Sequence, residues 1–211
     1  MRRGDPLVTG PLGDATIRGY LDSLAAAVPV PGGGAVAGVT LAQANALGSM
    51  VVAYAIGKPK FVAHEPAHRA ALECFDAGRA KALDLADEDA RAYEALNRLW
   101  KLPKDDPARA AFPTAVRAAI AAPEATLSTA KATLDALSLL VGTTSPSLAS
   151  DLRIAIDLAE VAAAAAQENV RINLPSVADE AERAAIRDRS EGVLAAARTR
   201  AQDLRRRMAG G

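Results

Sequence analysis

The chain has 211 residues and no net charge, because 25 lysines and arginines balance 25 aspartates and glutamates. This balance gives no reason to expect a nucleic acid or an anionic membrane as partner, and 3% aromatic residues argue against a base-stacking surface. The single cysteine, Cys74, excludes an intrachain disulfide and a cysteine metal cluster. The start has no signal-peptide pattern, and the longest apolar run, residues 50–56, is far shorter than the ~20 residues of a membrane span. We therefore expect a cytoplasmic protein.

The N-terminal segment, residues 1–13, contains two prolines and three glycines and is predicted to be a flexible arm. A single helical domain is expected over 14–211. Asp14 is the predicted N-cap of its first helix. Apolar residues at helical spacing predict one buried stripe on that helix, namely Ile17, Leu21, Leu24 and Val28.

A run of three glycines, residues 32–34, precedes a second helix that is predicted over 34–56. Unpaired N–H groups at a helix start carry partial positive charge, and glycines there let an anion approach closely. A flexible turn before a packed helix is the alternative. The small residues on one face predict a central helix. Gly57 is the expected stop, and Lys58 and Lys60 after it are either an anion-binding cluster or a solvated helix end.

The third helix, predicted over 66–100, carries one carboxylate on an apolar stripe. The stripe residues follow each other by three, four or seven positions: Phe75, Ala82, Ala86, Asp89, Tyr93, Leu96 and Trp100. Burying a lone carboxylate is costly, so Asp89 is expected to have a partner, a raised pKa or a functional role. The structural alternative to catalysis is an ion pair with an arginine such as Arg79, or pairing with another helix.

After a break at 102–107, Asp106 and Pro107 are typical of a helix start. The apolar spacing that follows keeps its phase through Pro123 as far as Val141, which predicts one helix with a kink at the proline.

The next helix is predicted to end near residue 171 and to be capped by Ser147 or Ser150. Asp151 falls in its first turn, where negative charge is favourable. Asn169 and Asn173 flank its end.

An arginine-rich last helix is predicted over 179–208, with its basic side chains on a solvated face. No stretch alternates as a β-strand does, so the prediction is an all-α, antiparallel multi-helix bundle. Flat, alanine-rich faces favour a homodimer.

Metal and nucleophile chemistry have little support. His64 and His68 are four residues apart, but Pro66 interrupts that helix start and no H-E-x-x-H motif is present, so a solvated pair is expected. Cys74 has no obvious histidine base in sequence. The glycine run, Lys58 and Lys60, Asp89 and Asp151 together indicate a pocket for a small anionic ligand, with a carboxylate for proton transfer.

Four ordered blocks of sequence resemble the cyclodeaminase/methenyltetrahydrofolate cyclohydrolase family. They are PGGGA at 31–35 with GKPKF at 57–61, DEDARAY at 87–93 with LPK at 102–104, SD at 150–151, and ENVRINL at 168–174. The resemblance extends over roughly residues 14–177.

The resemblance implies an all-α homodimer that binds a folate near the subunit interface and uses no metal or redox cofactor. By position it implies Asp89 and Lys58 as catalytic residues. The positions matched to substrate binding are Gly32, Gly33, Gly34, Lys60, Asp151, Asn169 and Asn173. The chain departs from the family pattern at Ala35, where serine is common, and at Pro59, where a basic residue is common.

The implied reaction is hydrolysis of 5,10-methenyltetrahydrofolate to 10-formyltetrahydrofolate. The alternative is the cyclodeaminase reaction, which converts 5-formiminotetrahydrofolate to the methenyl compound and ammonia. Cyclohydrolase is preferred because no formiminotransferase half accompanies this sequence. A helical folate-binding or assembly protein without catalysis is the third possibility, and Ala35 is the residue that favours it.

Overall fold

The computed structural model describes residues 10–210 and confirms an all-α fold, with no β-strand in that range. The α-helices in this part of the chain are α1 (Ile17–Leu24), α2 (Gly33–Ala53), α3 (Glu65–Trp100), α4 (Phe112–Leu137), α5 (Ala149–Asn173) and α6 (Glu180–Ala209). Short connections that include 3-10 turns join them.

Glycines on α2 let α3 approach closely. A methyl group at Gly38 would lie 2.6 Å from the Ala82 carbonyl oxygen and 2.8 Å from Ala86 Cβ, and one at Gly48 would lie 3.0 Å from the Phe75 ring. Residue numbers rise along α2 as those of its contacts fall along α3, so the two helices are antiparallel. This confirms that the small face of the second helix is a packing face.

Helix α2 is the central element of the bundle and packs against α3, α4 and α5. Its length and composition would suit a membrane span, but 61% of its most apolar window is buried among the other helices, as in the core helix of a bundle. A second, smaller core cluster lies towards the end of the bundle where α2 begins. It contains Leu96, Val116, Ala119, Ile120, Val170, Leu174, Val177 and Ile186.

Helix α6 runs parallel to α4, and ion pairs join the two helices in the same order along both. The pairs are Arg117–Glu182 at 2.7 Å, Glu124–Arg189 at 2.8 Å and Asp135–Arg200 at 2.9 Å. Arg189 and Arg200 of the last helix, which was predicted to have a solvated basic face, are 57% and 41% exposed and also bind carboxylates on α4.

The first helix differs from its prediction. Thr16, not Asp14, is the N-cap, and its Oγ1 accepts a hydrogen bond from Gly19 N at 3.0 Å. Asp14 instead belongs to a preceding 3-10 turn. The predicted stripe is not buried in the chain, because Ile17 is 81% exposed and Leu21 is 53% exposed. Residues 1–9 of the predicted arm lie outside the described residues.

Other helix ends confirm or correct the predictions. Asp106 is an N-cap, with its carboxylate accepting from Ala108 N at 2.8 Å, and Pro123 lies inside one continuous helix. Neither Ser147 nor Ser150 caps α5, whose N-cap is Leu148, without a side-chain hydrogen bond.

Candidate active site

A cavity of ≈ 360 Å³ opens at the end of the bundle where α2 begins and where α3 and α5 end. The α1–α2 connection, α2, α3, α4 and α5 all contribute to its wall. The lining residues are Pro29, Val30, Gly32, Gly33, Gly34, Asp89, Tyr93, Trp100, Ala119, Asn169, Ile172 and Asn173.

The carboxylate of Asp89 lies directly against the backbone of Gly34. A methyl group at Gly34 would be 2.5 Å from Asp89 Oδ1 and closer still to Cγ and Oδ2, so only glycine fits at this position. The glycine run therefore does more than form a turn, because it lets the start of α2 and the carboxylate of Asp89 approach each other closely.

Burial raises the pKa of Asp89 from its ordinary value of 3.8 to about 6. Within residues 10–210 no ion pair or hydrogen bond to this carboxylate is present. The alternative pairing with Arg79 is wrong, since Arg79 pairs with Asp76 at 3.3 Å, on the helix turn before it. Asp89 thus has the inward position that the stripe predicted, and an unpaired carboxylate there can exchange a proton near neutral pH.

Backbone N–H groups lie beside this carboxylate. The first hydrogen bond of α2 runs from Val36 N to Gly32 O at 3.1 Å, and Gly32 offers no side-chain cap. The N–H groups of Gly33 and Gly34 consequently have no acceptor in the described part of the chain. The cavity therefore offers two hydrogen-bond donors with the partial positive charge of a helix start.

Two asparagines of α5 complete the polar wall. Asn169 Nδ2 donates to Ala165 O at 2.9 Å, and Asn173 Nδ2 donates to Asn169 O at 2.9 Å and to Ala119 O at 3.3 Å. Both side-chain oxygens remain as acceptors without a donor in residues 10–210. That of Asn169 lies against Gly33.

Lys58, Lys60 and Asp151 do not line this cavity. The 21 residues of α2 separate the two lysines from the glycine run, a distance of about 30 Å at 1.5 Å per residue. Asp151 is in the first turn of α5, whose opposite end carries the asparagines. The expectation that these three residues share a pocket with Asp89 is therefore corrected for a single chain.

The histidine prediction is also corrected at His68, which is fully buried rather than solvated. Its Nε2 is 3.1 Å from Thr143 Oγ1, and its Nδ1 has no hydrogen-bond partner in the described structure. Burial lowers the pKa of His68. No group of three or more His, Cys, Asp or Glu side chains within residues 10–210 is arranged to hold a metal ion.

Sequence reasoning placed Tyr93 and Trp100 in the core, whereas both are cavity residues. Tyr93 is 37% exposed and Trp100 is 42% exposed. They continue the apolar stripe of α3 beyond Asp89, and periodicity does not distinguish them from Leu96, which lies between them and is fully buried.

Residues 16–192 match the family model described as formiminotransferase-cyclodeaminase. The chain is 35% identical to formimidoyltransferase-cyclodeaminase of Sus scrofa over 88% of its own length, but it spans about a third (35%) of that relative. It is 30% identical to methenyltetrahydrofolate cyclohydrolase of Methylorubrum extorquens, over 88% of this chain and 91% of the relative.

Among solved structures, formiminotetrahydrofolate cyclodeaminase of Thermotoga maritima matches with a TM-score of 0.88 and 27% identity. The match covers 94% of this chain and 98% of that one. These similarities confirm the resemblance inferred from the four sequence blocks.

Proposed function

The chain belongs to the formiminotransferase-cyclodeaminase family, and we propose that it catalyses a one-carbon reaction of tetrahydrofolate in the cavity around Asp89. The favoured reaction is hydrolysis of 5,10-methenyltetrahydrofolate to 10-formyltetrahydrofolate. One observation carries the proposal: Asp89 is half-buried and unpaired among residues 10–210, and it lies beside the free N–H groups of a helix start. The proposal requires no metal or redox cofactor and retains the cytoplasm as the expected location.

The charge of Asp89 suits this substrate. The carbon between N5 and N10 of the methenyl compound carries delocalised positive charge, so an ionised carboxylate attracts it and can take a proton from the attacking water. A pKa of about 6 leaves the group ionised at neutral pH while keeping it a useful base. As the C–N5 bond breaks, one proton of the water ends on N5 and the other passes to solvent.

The remaining polar groups have complementary roles in the proposal. The N–H groups of Gly33 and Gly34 are donors for the oxygen that the attacking water adds to the methenyl carbon, which becomes the formyl carbonyl oxygen. The side-chain oxygens of Asn169 and Asn173 are acceptors for N–H groups of the substrate's ring.

The cyclodeaminase reaction is the second candidate, favoured by the 35% identity to the Sus scrofa enzyme and by the Thermotoga maritima structure. In that reaction N10 attacks the formimino carbon and ammonia leaves. Asp89 would take the proton from N10 and pass it to the nitrogen that leaves as ammonia, and the second proton that this nitrogen gains comes from solvent.

Two parallel assays separate these reactions. Purified protein is mixed with 5,10-methenyltetrahydrofolate, and the loss of its absorbance is followed above the spontaneous rate; the formimino compound is then tested for formation of the same absorbance. Turnover of the methenyl compound alone supports hydrolysis, and turnover of the formimino compound alone supports deamination. Saturable binding without turnover of either indicates the non-catalytic scaffold that Ala35 favours.

Asp89→Asn tests the assignment of the base. Loss of turnover with binding retained is expected, and near-normal turnover would remove Asp89 from the mechanism. Glu88→Gln, at the exposed neighbouring position, is the matched control.

A homodimer would account for Lys58 and Lys60. Exposed apolar residues include Val36 on α2, Tyr54 directly after it and Val161 on α5, and such a surface suits a second copy. A two-fold axis perpendicular to α2 would bring the end of α2 in one subunit beside its start in the other. We propose that the lysines act on the neighbouring subunit's substrate, where they bind its carboxylates.

Mixed dimers test this arrangement. If each site uses Asp89 of one subunit and Lys58 of the other, Asp89→Asn and Lys58→Ala chains inactive alone should recover, after unfolding and refolding together, about a quarter of wild-type activity. No recovery, or a monomeric mass by light scattering, would contradict the shared site.

A further inference from the structure

The cavity has a polar end and an aromatic end. Asp89, Tyr93 and Trp100 lie on one face of α3 and all line the cavity, whereas Leu96 between them is fully buried. The chain has only three Phe, three Tyr and one Trp. Two of these seven rings line the cavity, and a third, Phe112, contacts one of them.

The two rings form a corner. Their centroids are 6.5 Å apart, and their planes meet at 73°. A flat ring placed in this corner would contact the face of one aromatic side chain and the edge of the other, which are both favourable geometries. Both residues keep more than a third of their surface open, so this contact is available to a ligand.

Contacts with neighbouring side chains fix the position of Trp100. Its ring is 6.4 Å from that of Phe112, and the Arg109 guanidinium lies 5.0 Å from the centroid of the Phe112 ring. Arg109 also donates to the carbonyl oxygens of Leu99 and Leu102, at 3.2 and 3.1 Å. The last turn of α3 is thereby tied to the start of α4, and the corner is formed before any ligand enters.

We propose that Tyr93 and Trp100 bind the benzoyl ring of the folate substrate and so position its reacting carbon against Asp89. This inference rests on the proposed function. The reacting carbon is bonded to N10, which is bonded to the benzoyl ring, so the carbon lies only about 4 Å from the ring centre by ordinary bond lengths. Tyr93 is one helical turn from Asp89 on the same face, which matches that short spacing.

The orientation also assigns the ends of the substrate. With the benzoyl ring in the corner, the fused ring faces the glycine N–H groups and the asparagine oxygens, where its polar edge finds donors and acceptors. The glutamate extends past the open edge of Trp100 towards solvent and a neighbouring subunit.

Fluorescence tests the assignment, because Trp100 is the only tryptophan. The wild-type protein is titrated with 5-formyltetrahydrofolate, with p-aminobenzoylglutamate and with 6-methyltetrahydropterin. Saturable quenching by the first two compounds, with little change on saturation by the third, is expected. Quenching by the pterin but not by p-aminobenzoylglutamate would reverse the orientation and overturn the proposal.

Kinetics of variants supply the second test. Trp100→Leu is expected to raise KM about tenfold, as loss of one aromatic contact does, and Trp100→Phe to restore most of the affinity. Leu139→Ala removes an apolar side chain that is 40% exposed and lies outside the cavity, and it is the matched control. An unchanged KM in Trp100→Leu with normal turnover would refute the corner and leave the proposed function intact. Saturable quenching without turnover of either one-carbon substrate would refute the function and leave the corner intact.

Discussion

Replacing Asp89 by asparagine should make the protein more stable at neutral pH. In the folded state burial holds the pKa of Asp89 at about 6, against an ordinary value of 3.8. The folded state therefore keeps its proton at a pH where the unfolded state has lost it, so the stability of the fold decreases as pH rises from about 4 to about 6. Above that range the full cost of ionising the carboxylate in the fold is present.

The size of this stabilisation follows from the two pKa values of Asp89, in the folded and the unfolded state. Their difference corresponds to as much as about 3 kcal/mol of unfolding free energy, and partial exposure of the carboxylate to the cavity reduces the expectation to about 1–3 kcal/mol. Asparagine has nearly the same shape and carries no charge, so Asp89→Asn should recover this amount at pH 7. The gain should disappear below pH about 4, where both states of the wild-type carboxylate are protonated.

Urea unfolding at several pH values between 4 and 8 measures this difference. The informative quantity is the change in unfolding free energy between Asp89→Asn and wild type at each pH, with equal m-values as the check on two-state behaviour. Glu88→Gln, at an exposed position next to it, should show little change. An Asp89→Asn protein that is equally or less stable at pH 7 would refute the view that the fold bears the cost of a buried, unpaired carboxylate.

Four further predictions concern the ionisation of Asp89 and the packing around individual glycines. The wild-type kcat/KM should fall as pH drops below about 6, because Asp89 then loses its function as a base, and a flat profile from pH 5 to 7 would contradict this. Gly34→Ala should lower kcat about 100-fold by displacing the carboxylate, whereas Gly13→Ala, which lies outside the cavity and whose added methyl would be 3.4 Å from Leu83 Cδ1, should change kcat little. In thermal or urea unfolding, Gly38→Ala should cost about 1–3 kcal/mol by overpacking α2 against α3. Gly192→Ala, with open space around it in α6, should gain up to about 1 kcal/mol.

The helices, and the places of Asp89 and the glycine run in the site, could be predicted from sequence because they depend on helical periodicity. The stripe on α3 correctly turned Asp89 inward, and the glycine run correctly marked a helix start. Counting residues would also have shown that Lys58 cannot reach that start in one chain, since a helix of this length keeps its two ends about 30 Å apart. The order of motifs along the sequence hid this separation.

The N-cap of α1 could not be predicted, because two nearby residues have nearly equal capping energies. Asp14 and Thr16 are both good N-caps, and their capping energies differ by less than about 1 kcal/mol. The chain selects Thr16, whose hydroxyl accepts from Gly19 N. The exposure of Ile17 and the burial of His68 depend on which helices pack nearby, and periodicity along one helix contains no such information.

The site is a continuation of the packing between α2 and α3. Along this contact Phe75, Ala82 and Ala86 meet the small face of α2, and Asp89 takes the next position on the same stripe, against Gly34. The spacing of the two helices is therefore set by apolar contacts further along, and the carboxylate cannot retreat from the helix start without separating them. An alanine at this position would cost the fold less free energy than Asp89 does. The packing nevertheless holds Asp89 beside two backbone N–H donors, where its carboxylate is ionisable and unpaired in the described chain. Core packing makes this pocket rigid. Asp89, the one polar position on the apolar stripe of α3, makes it reactive.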